Sequence, residues 1–443
     1  MRIDRLTLTN FKGFARCEYA FHPEVNLLVG VNGTGKTSLL DALSVAIGGW
    51  FLGLRGYDTR HIRQHEVRLQ ANQATPKNGT SRRGASVNWE TQYPCSVEAS
   101  GLVMGKELTW TRTLTTPRGR TTYGGARAMK DLATRTEAAV RDGGDIVLPL
   151  LSYYGTGRLW DIPREQFQVK GEKLISRREK RSRLAGYRNS VDPRISVSDL
   201  TRWIAEQSWI EFQQAGEVPP AFSVVKRAIL GCVERAKDLY FDPRRGQVVL
   251  EIDGQGAQPF DNLSDGQRTV MAMAGDIAQK AATLNPSLGA DALGETPGVV
   301  LIDELDLHLH PVWQRRVIED LRTTFSRMQF FASTHSPFLI QSLRSGDELL
   351  MLDGEPTAQL ANKTLADIAE GIMGVPNPEV SKRYLEMKNT ATDYLKALDQ
   401  AVMAPEAKQA AFQEALAESI APFADNPAYQ AFLELKRAAK LGE

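Results

Sequence analysis

Residues 30–37, GVNGTGKT, have the types and spacing of a phosphate-binding loop, called here the phosphate loop. They follow a short apolar strand pattern and precede a helix pattern, so backbone N–H groups would surround phosphate oxygens at a helix N-terminus. We expect Lys36 to reach the β- and γ-phosphates of a nucleotide and the Thr37 hydroxyl to bind Mg²⁺. A glycine-rich turn without function is the alternative, which the full spacing disfavours. The expected nucleotide-binding residues are Gly30, Asn32, Gly33, Gly35, Lys36, Thr37 and Ser38.

Residues 299–304, VVLIDE, place two acids at the end of a continuously apolar segment. A short run of this kind is typical of a parallel strand buried on both faces. We expect Asp303 to hold the Mg²⁺ shell through water, and Glu304 to orient and deprotonate the attacking water as a general base. The ordinary end of a buried strand is the alternative, but the distance from the phosphate loop favours the functional interpretation.

The segments that would carry these residues alternate between strand and helix patterns. Apolar residues alternate with polar ones near the N-terminus, which predicts a half-buried strand, and they recur at helical spacing after Lys36. Residues 330–333, FFAS, predict another buried strand. We expect four parts: a lobe with the phosphate loop at 1–160, a helical insertion at 161–240, a second lobe at 241–355 and a helical C-terminal region at 356–443.

Composition limits the class of protein. A chain of 443 residues suggests two or three units of about 100–200 residues each. The net charge of +1 gives no whole-chain signal for nucleic acid. Cys17, Cys95 and Cys232 lie far apart without a CxxC pair, so we expect reduced thiols without a disulfide or metal site. Since neither a signal peptide nor a bilayer-spanning apolar run is present in the sequence, we expect a cytoplasmic protein without membrane contact.

Residues 263–268, LSDGQR, lie between the two motifs and resemble the signature of ABC-type ATPases. Alone, this string could be an ordinary serine helix cap. In that family, Ser264 and the N–H groups around Gly266 face the γ-phosphate of ATP held by the other subunit. The resemblance therefore implies a dimer that closes on two ATP molecules with their Mg²⁺. His335, in the string THS, matches the family's switch histidine and would sense the γ-phosphate, although a lone histidine is more often structural.

Three further motifs resemble one branch of this family. Residues 10–14, NFKGF, resemble the RecF, Rad-fifty and SMC branch rather than transporter ATPases. Residues 153–160, YYGTGRLW, and 305–311, LDLHLHP, resemble a bacterial subgroup that includes ATPases of Septu-like and retron-associated anti-phage systems. The resemblance implies an α/β fold, namely an ABC-type P-loop ATPase head with a mixed sheet flanked by helices, a helical insertion and a helical C-terminal region.

Several positions leave their roles open. His310 falls where classical family members carry the aspartate of the D-loop, so His308 and His310 could bind a metal or, as we prefer, pack at the dimer seam. Gln64 stands at a plausible place for the Q-loop, but nothing in the sequence fixes that assignment. A basic cluster could follow a nucleic-acid backbone or form an ordinary solvated face. Its members are Arg177, Arg178, Lys180, Arg181, Arg183 and Arg188.

The resemblance implies an ATPase, converting ATP and water to ADP and phosphate, that serves as the sensor or switch subunit of a bacterial anti-phage complex. It would control a separately encoded nuclease of the HNH type through ATP-dependent dimerisation of its heads. The histidines do not form an HNH motif and the C-terminal helices lack a TOPRIM-type acidic cluster, so we expect no nuclease centre in this chain. The alternatives are a RecF-like DNA-binding ATPase of repair or replication, and a scaffold with slow ATP turnover.

Overall fold

The computed structural model describes residues 1–73, 87–158, 182–195, 197–352, 363–402 and 426–441. The strands are, in chain order, β1 (Arg2–Phe11), β2 (Phe14–Ala20), β3 (Val25–Val29), β4 (Leu69–Gln73), β5 (Val87–Thr91), β6 (Cys95–Val103), β7 (Lys106–Leu114), β8 (Leu150–Tyr154), β9 (Ala236–Asp242), β10 (Gln247–Ile252), β11 (Gly256–Pro259), β12 (Gly298–Ile302), β13 (Met328–Ser333) and β14 (Leu349–Met351). The helices are α1 (Lys36–Ile47), α2 (Arg127–Arg141), α3 (Val197–Gln213), α4 (Pro220–Cys232), α5 (Asp265–Leu284), α6 (Ala292–Glu295), α7 (Pro311–Gln314), α8 (Val317–Thr324), α9 (Pro337–Gln341), α10 (Leu365–Gly371), α11 (Lys382–Val402) and α12 (Pro427–Leu441).

A parallel sheet with the strand order β14-β3-β13-β12-β8 carries the predicted site. Every residue of β3, β8, β12 and β13 is buried, as expected for parallel strands covered on both faces. Ile302 is the register partner of both Ala332 and Tyr154, so neighbouring strands end at the same level. The loops that follow these strands therefore leave the sheet at one edge, where open α/β sheets usually bind ligands.

Helix α1 lies between this sheet and a separate antiparallel sheet of order β2-β1-β6-β7. Its apolar positions Leu39, Leu40, Leu43 and Ile47 are fully buried, which fits the helical spacing seen in the sequence. The indole N–H of Trp110, on β7, donates a hydrogen bond to the carbonyl of Ala46 at 2.9 Å. The phosphate loop is thus fixed to a helix whose two sides are packed.

The architecture confirms the predicted α/β class with helices flanking the sheet, and places the parallel and antiparallel strands in separate sheets. Residues 1–368 form one compact unit and residues 369–443 another. In the second unit, α11 and α12 pack around Tyr394, Leu398 and Leu433. The predicted insertion at 161–240 contains α3 and α4, and β9 begins within it. The division into four parts stays a prediction.

The three cysteines are free thiols, and burial raises the pKa of each. For Cys95 and Cys232 the pKa rises to about 12, so at pH 8 only about one thiol in 10⁴ would be a thiolate. We expect iodoacetamide at pH 8 to label Cys17, which is partly exposed, before Cys95 and Cys232, which react only after unfolding in denaturant. Mass spectrometry of labelled peptides measures the order, and rapid labelling of native Cys232 would contradict it.

Candidate nucleotide-binding site

The phosphate loop has the backbone that its glycines allow. Gly33 and Gly35 have φ angles of 90° and 104°, a left-handed region that side chains disfavour. A Cβ atom at Gly35 would lie 2.6 Å from Cζ of Phe14, in the NFKGF segment, so this glycine also permits a close approach. The ammonium group of Lys36 donates to the carbonyls of Gly30 at 2.6 Å and Val31 at 3.2 Å. The loop thus curls around the lysine that was predicted to bind phosphate.

Thr37 and Asp303 meet across the sheet edge. The Thr37 hydroxyl donates to the Asp303 carboxylate, with distances of 3.0 Å to Oδ2 and 3.3 Å to Oδ1. Asp303 is buried, whereas Thr37 is exposed. A hydroxyl and a carboxylate are oxygen ligands of the kind that Mg²⁺ prefers, so the pair fits the predicted metal site. The ligand role of both residues stays a prediction.

The chain turns sharply after Asp303, and we call residues 303–305 the acidic turn. Glu304 has a φ of 49°, which is uncommon for a residue with a side chain. Its N–H donates to the hydroxyl of Ser333 at 2.8 Å, and the same hydroxyl donates to Asp303 Oδ1 at 2.6 Å. Ser333 ends the neighbouring strand β13 and therefore holds both acids of the turn.

The predicted switch histidine lies at the end of β13, beside the acidic turn. His335 is exposed, and its backbone N–H donates to Asp306 Oδ1 at 3.3 Å. The Thr334 hydroxyl donates to the same oxygen at 2.6 Å. Asp306 therefore ties the histidine backbone to the loop that follows Glu304, while the imidazole remains open to solvent.

The signature starts helix α5. The Ser264 hydroxyl accepts a hydrogen bond from the backbone N–H of Gln267 at 3.3 Å, and the Gln267 side chain accepts one from the Ser264 N–H at 3.0 Å. This is a capping box, so the alternative interpretation as a helix cap describes the local geometry correctly. A Cβ at Gly266 would lie 2.6 Å from the carbonyl oxygen of His308. The signature thus packs on the loop after the acidic turn.

A charged cluster surrounds Asp41, a residue of α1. Lys12 of the NFKGF segment forms an ion pair with Asp41, and Arg60 forms one with Glu66 and approaches Asp41 at 3.7 Å. The Tyr153 hydroxyl donates to Asp41 Oδ1 at 3.4 Å. Burial and the carboxylate of Asp41 raise the pKa of Tyr153 above its ordinary value, so this phenol stays protonated. The cluster connects the N-terminal strands to the helix that carries Lys36 and Thr37.

Two other predicted positions, Gln64 and His310, make local hydrogen bonds. The Gln64 amide oxygen accepts a hydrogen bond from the Tyr93 hydroxyl at 2.7 Å. His310 caps α7 by accepting from the N–H of Val312 at 3.3 Å.

In the part of the chain that the structure describes, no group of three or more His, Cys, Asp or Glu could hold a metal. Among the same residues, no helix has the length and apolar character needed to span a membrane. Of the basic cluster, Arg177, Arg178, Lys180 and Arg181 lie outside the described residues.

Two family models match long stretches of the chain. One, described as "AAA domain", matches residues 5–211, and another, described as "AAA domain, putative AbiEii toxin, Type IV TA system", matches residues 135–341. Together they include the phosphate loop, the signature, the acidic turn and His335. Each model matches less than half of the chain, and with the geometry above they support the P-loop ATPase that the sequence motifs predicted.

Individual relatives of the chain include proteins of retron and Septu systems. The chain is 23% identical to "Retron Vc95 probable ATPase" of Vibrio cholerae, over 78% of this chain and 72% of that protein, and 23% identical to "Retron Ec83 probable ATPase" of Escherichia coli, over 88% and 80%. It is 36% identical to "Septu protein PtuA" of Bacillus mycoides, over 30% of this chain and 18% of that protein. The SMC head domain from Thermotoga maritima aligns with 79% of this chain and 94% of that chain, at 16% identity and a TM-score of 0.42. The retron and Septu matches confirm the predicted relationship.

Sequence reasoning missed Ser333 and Arg158 as members of the site. In the sequence, Ser333 stands only at the end of the apolar run FFAS, and Arg158 only within the segment YYGTGRLW. The guanidinium of Arg158 donates to the carbonyls of Asp303 at 2.7 Å and Glu304 at 3.0 Å. Parallel strands end at one edge of a sheet, so polar residues at or shortly after the ends of the predicted buried strands could have been predicted as members of the site.

Gly266→Ala should disturb the packing of the signature on the loop after the acidic turn, because the new Cβ would meet the backbone of His308 rather than a flexible side chain. We expect a loss of about 1–3 kcal/mol in the free energy of unfolding, the usual cost of overpacking. Urea unfolding followed by circular dichroism measures it. Gly294→Ala is the control, since its Cβ would lie 3.5 Å from Ser326 Oγ, an ordinary contact. Equal stability of both variants would contradict the prediction.

Proposed function

We propose that this chain binds and hydrolyses ATP as the switch subunit of an anti-phage complex, and that ATP closes two heads on each other. The hydrogen bond between Thr37 and Asp303 carries the proposal, because it joins the phosphate loop to the acidic turn where Mg²⁺ would bind. The two residues are far apart in sequence, so their meeting is a property of the fold.

The phosphate loop and Lys36 would bind the phosphates of ATP. The backbone around Gly33 and Gly35 offers N–H groups at the start of α1, and Lys36 would exchange its two carbonyl partners for phosphate oxygens. Thr37 and Asp303 would hold Mg²⁺, directly and through water. When bound, Mg²⁺ neutralises charge that develops on the phosphates during transfer.

Glu304 would act as the general base of hydrolysis. It follows Asp303 directly, and its carboxylate would accept the proton of a water whose oxygen attacks the γ-phosphorus. The exposed imidazole of His335, beside the acidic turn, would contact the γ-phosphate. ADP and phosphate leave after the bond to the β-phosphate oxygen breaks.

The signature would complete the site of the opposite subunit. Ser264 is exposed, and its hydrogen bonds stay within the first turn of α5, so its surface is free for a partner. ATP then stabilises the closed dimer because its phosphates contact both subunits, and hydrolysis removes that link.

The names of the relatives support the defence role. Retron and Septu ATPases resemble this chain over most or part of its length. We therefore infer that a separately encoded nuclease, of the HNH type, supplies the chemistry that the ATPase controls. A segment of 45 residues is also 42% identical to the DNA replication and repair protein RecF of Lacticaseibacillus casei, which keeps a DNA-binding ATPase as the competing outcome.

Lys36→Ala should weaken ATP binding and prevent dimer closure, whereas Glu304→Gln should bind ATP but lower kcat by about 10²–10⁴-fold, the usual contribution of a general base. A phosphate-release assay measures kcat, and light scattering should show the ATP-bound Glu304→Gln protein at twice the chain's 49.0 kDa. Lys106→Ala and Glu107→Gln, at exposed positions of β7, are the matched controls. Wild-type hydrolysis by Glu304→Gln would show that Glu304 is not the base.

Co-expression with the product of a neighbouring nuclease gene tests the defence role. We expect a stable complex in light scattering, whose DNA or RNA cleavage changes between ATP and no nucleotide, and differs in the Glu304→Gln complex. A lone ATP-dependent dimer that binds DNA and ignores the nuclease would favour the RecF-like function. Hydrolysis too slow to measure in the wild-type protein would favour a scaffold.

A further inference from the structure

Arg158 is buried at the centre of the site, although none of the proposed steps uses it. Its side chain is among the largest fully buried ones, with 1% exposure. One guanidinium nitrogen, Nη1, donates to the carbonyls of Asp303 at 2.7 Å and of Gly155 at 3.1 Å. The other, Nη2, donates to the carbonyl of Glu304 at 3.0 Å. A single side chain therefore holds two consecutive carbonyls of the acidic turn.

The N–H groups of the acidic turn are bound by residues of the neighbouring strands. The N–H of Asp303 donates to the carbonyl of Tyr154 at 2.7 Å, on β8. The N–H of Glu304 donates to the Ser333 hydroxyl, and the N–H of Leu305 to the Ser333 carbonyl at 2.9 Å, on β13. The neighbouring strands thus fix the N–H groups, while Arg158 donates to the carbonyls of both acids. The Glu304 carbonyl also accepts a hydrogen bond from the N–H of Leu307 at 3.0 Å.

This arrangement maintains an unfavourable backbone conformation at Glu304. A φ of 49° is unfavourable for a residue with a side chain, so it persists only where the surroundings impose it. The φ angle sets the direction in which Cβ leaves the backbone, and hence where a carboxylate can reach. The rigid fork of a guanidinium suits two fixed carbonyls, whereas a lysine ammonium offers a single point charge.

The charge of Arg158 also suits the position. Burial lowers its pKa to about 10, but the carboxylates of Asp303, Glu304 and Asp306 act in the opposite direction, so the group stays protonated at neutral pH. A buried positive charge beside three acids offsets their mutual repulsion. Its loss would leave the buried Asp303 carbonyl without the donor Nη1, while the Glu304 carbonyl would keep the N–H of Leu307 at 3.0 Å. It would also leave an unbalanced cluster of negative charge.

We propose that Arg158 is a positioning residue, which holds the backbone of Glu304 so that its carboxylate meets the attacking water. This rests on the proposed role of Glu304 as general base. The competing explanation is that Arg158 only stabilises the loop it belongs to, since its own carbonyl accepts from the N–H of Ile195 at 2.9 Å. The two explanations differ in what happens to ATP binding and to a variant that already lacks the base.

Arg158→Lys is the first test, measured as kcat and KM for ATP hydrolysis, ATP-driven dimerisation and thermal stability. We expect kcat to fall at least about tenfold with KM within about twofold, because misplacing a reacting group affects chemistry more than binding. The variant should still dimerise with ATP, as we also expect of Glu304→Gln. Arg183→Lys is the matched control, because Arg183 donates to the carbonyls of Gly144 and Ile146, away from the acidic turn.

The double variant Arg158→Lys with Glu304→Gln separates the two explanations. If Arg158 acts through Glu304, the added substitution changes the residual rate of Glu304→Gln by less than about twofold, as expected for residues that work as a unit. A loss as large as in the wild-type background, or a raised KM with lost dimerisation, overturns the proposal. Arg158→Gln, which keeps an uncharged donor, replaces the lysine variant if that one does not fold, and the same outcomes apply.

Failure of this proposal can be told apart from failure of the proposed function. If Glu304→Gln hydrolyses ATP at the wild-type rate, Glu304 is not the base and both proposals fall. If Glu304→Gln is slow but Arg158→Lys keeps the wild-type kcat, only the positioning role is overturned.

Discussion

The site depends on the hydrogen-bond ladders that hold β3, β13, β12 and β8 parallel and in register. Because these strands run in one direction, the segments after them meet at one edge, which brings Thr37, Asp303 and Ser333 within hydrogen-bonding distance. A slip of one residue would turn every side chain of the slipped strand to the opposite face of the sheet. The register of the apolar strands thus sets the distances between the polar residues at and after their ends.

Polar residues at this edge lie on the boundary between the core and solvent. Asp303 and Ser333 are buried and hydrogen-bonded to each other, whereas Thr37, His335 and Asn32 are exposed. The rigid side of the site is therefore the side that faces the sheet, and the accessible side is the one that a nucleotide would meet. Such pre-organisation is what lets fixed groups act on a reaction without rearranging during it.

The sequence predicted the groups with a strong local pattern and missed those defined by tertiary contact. The phosphate loop, the acidic turn and the signature are contiguous strings, and the buried strands follow from runs of apolar residues. Arg158 lies 145 residues before Asp303, and Ser333 lies 30 residues after it, so no spacing rule connects them. The left-handed φ of Glu304 is likewise imposed by these neighbours. The order of the strands in the parallel sheet determines which polar residues lie next to each other, and this order is not evident from the sequence.

The close approach of Gly266 to the His308 carbonyl has a consequence for exchanging parts between relatives. His308 adopts a φ of 63°, so the path of its loop is specific, and the helix start fits against that path without room for a methyl group. A chimaera that takes α5 from another protein would need the loop after β12 from the same donor. These two segments are separated in sequence but pack against each other, so we expect that they can be exchanged between relatives only together.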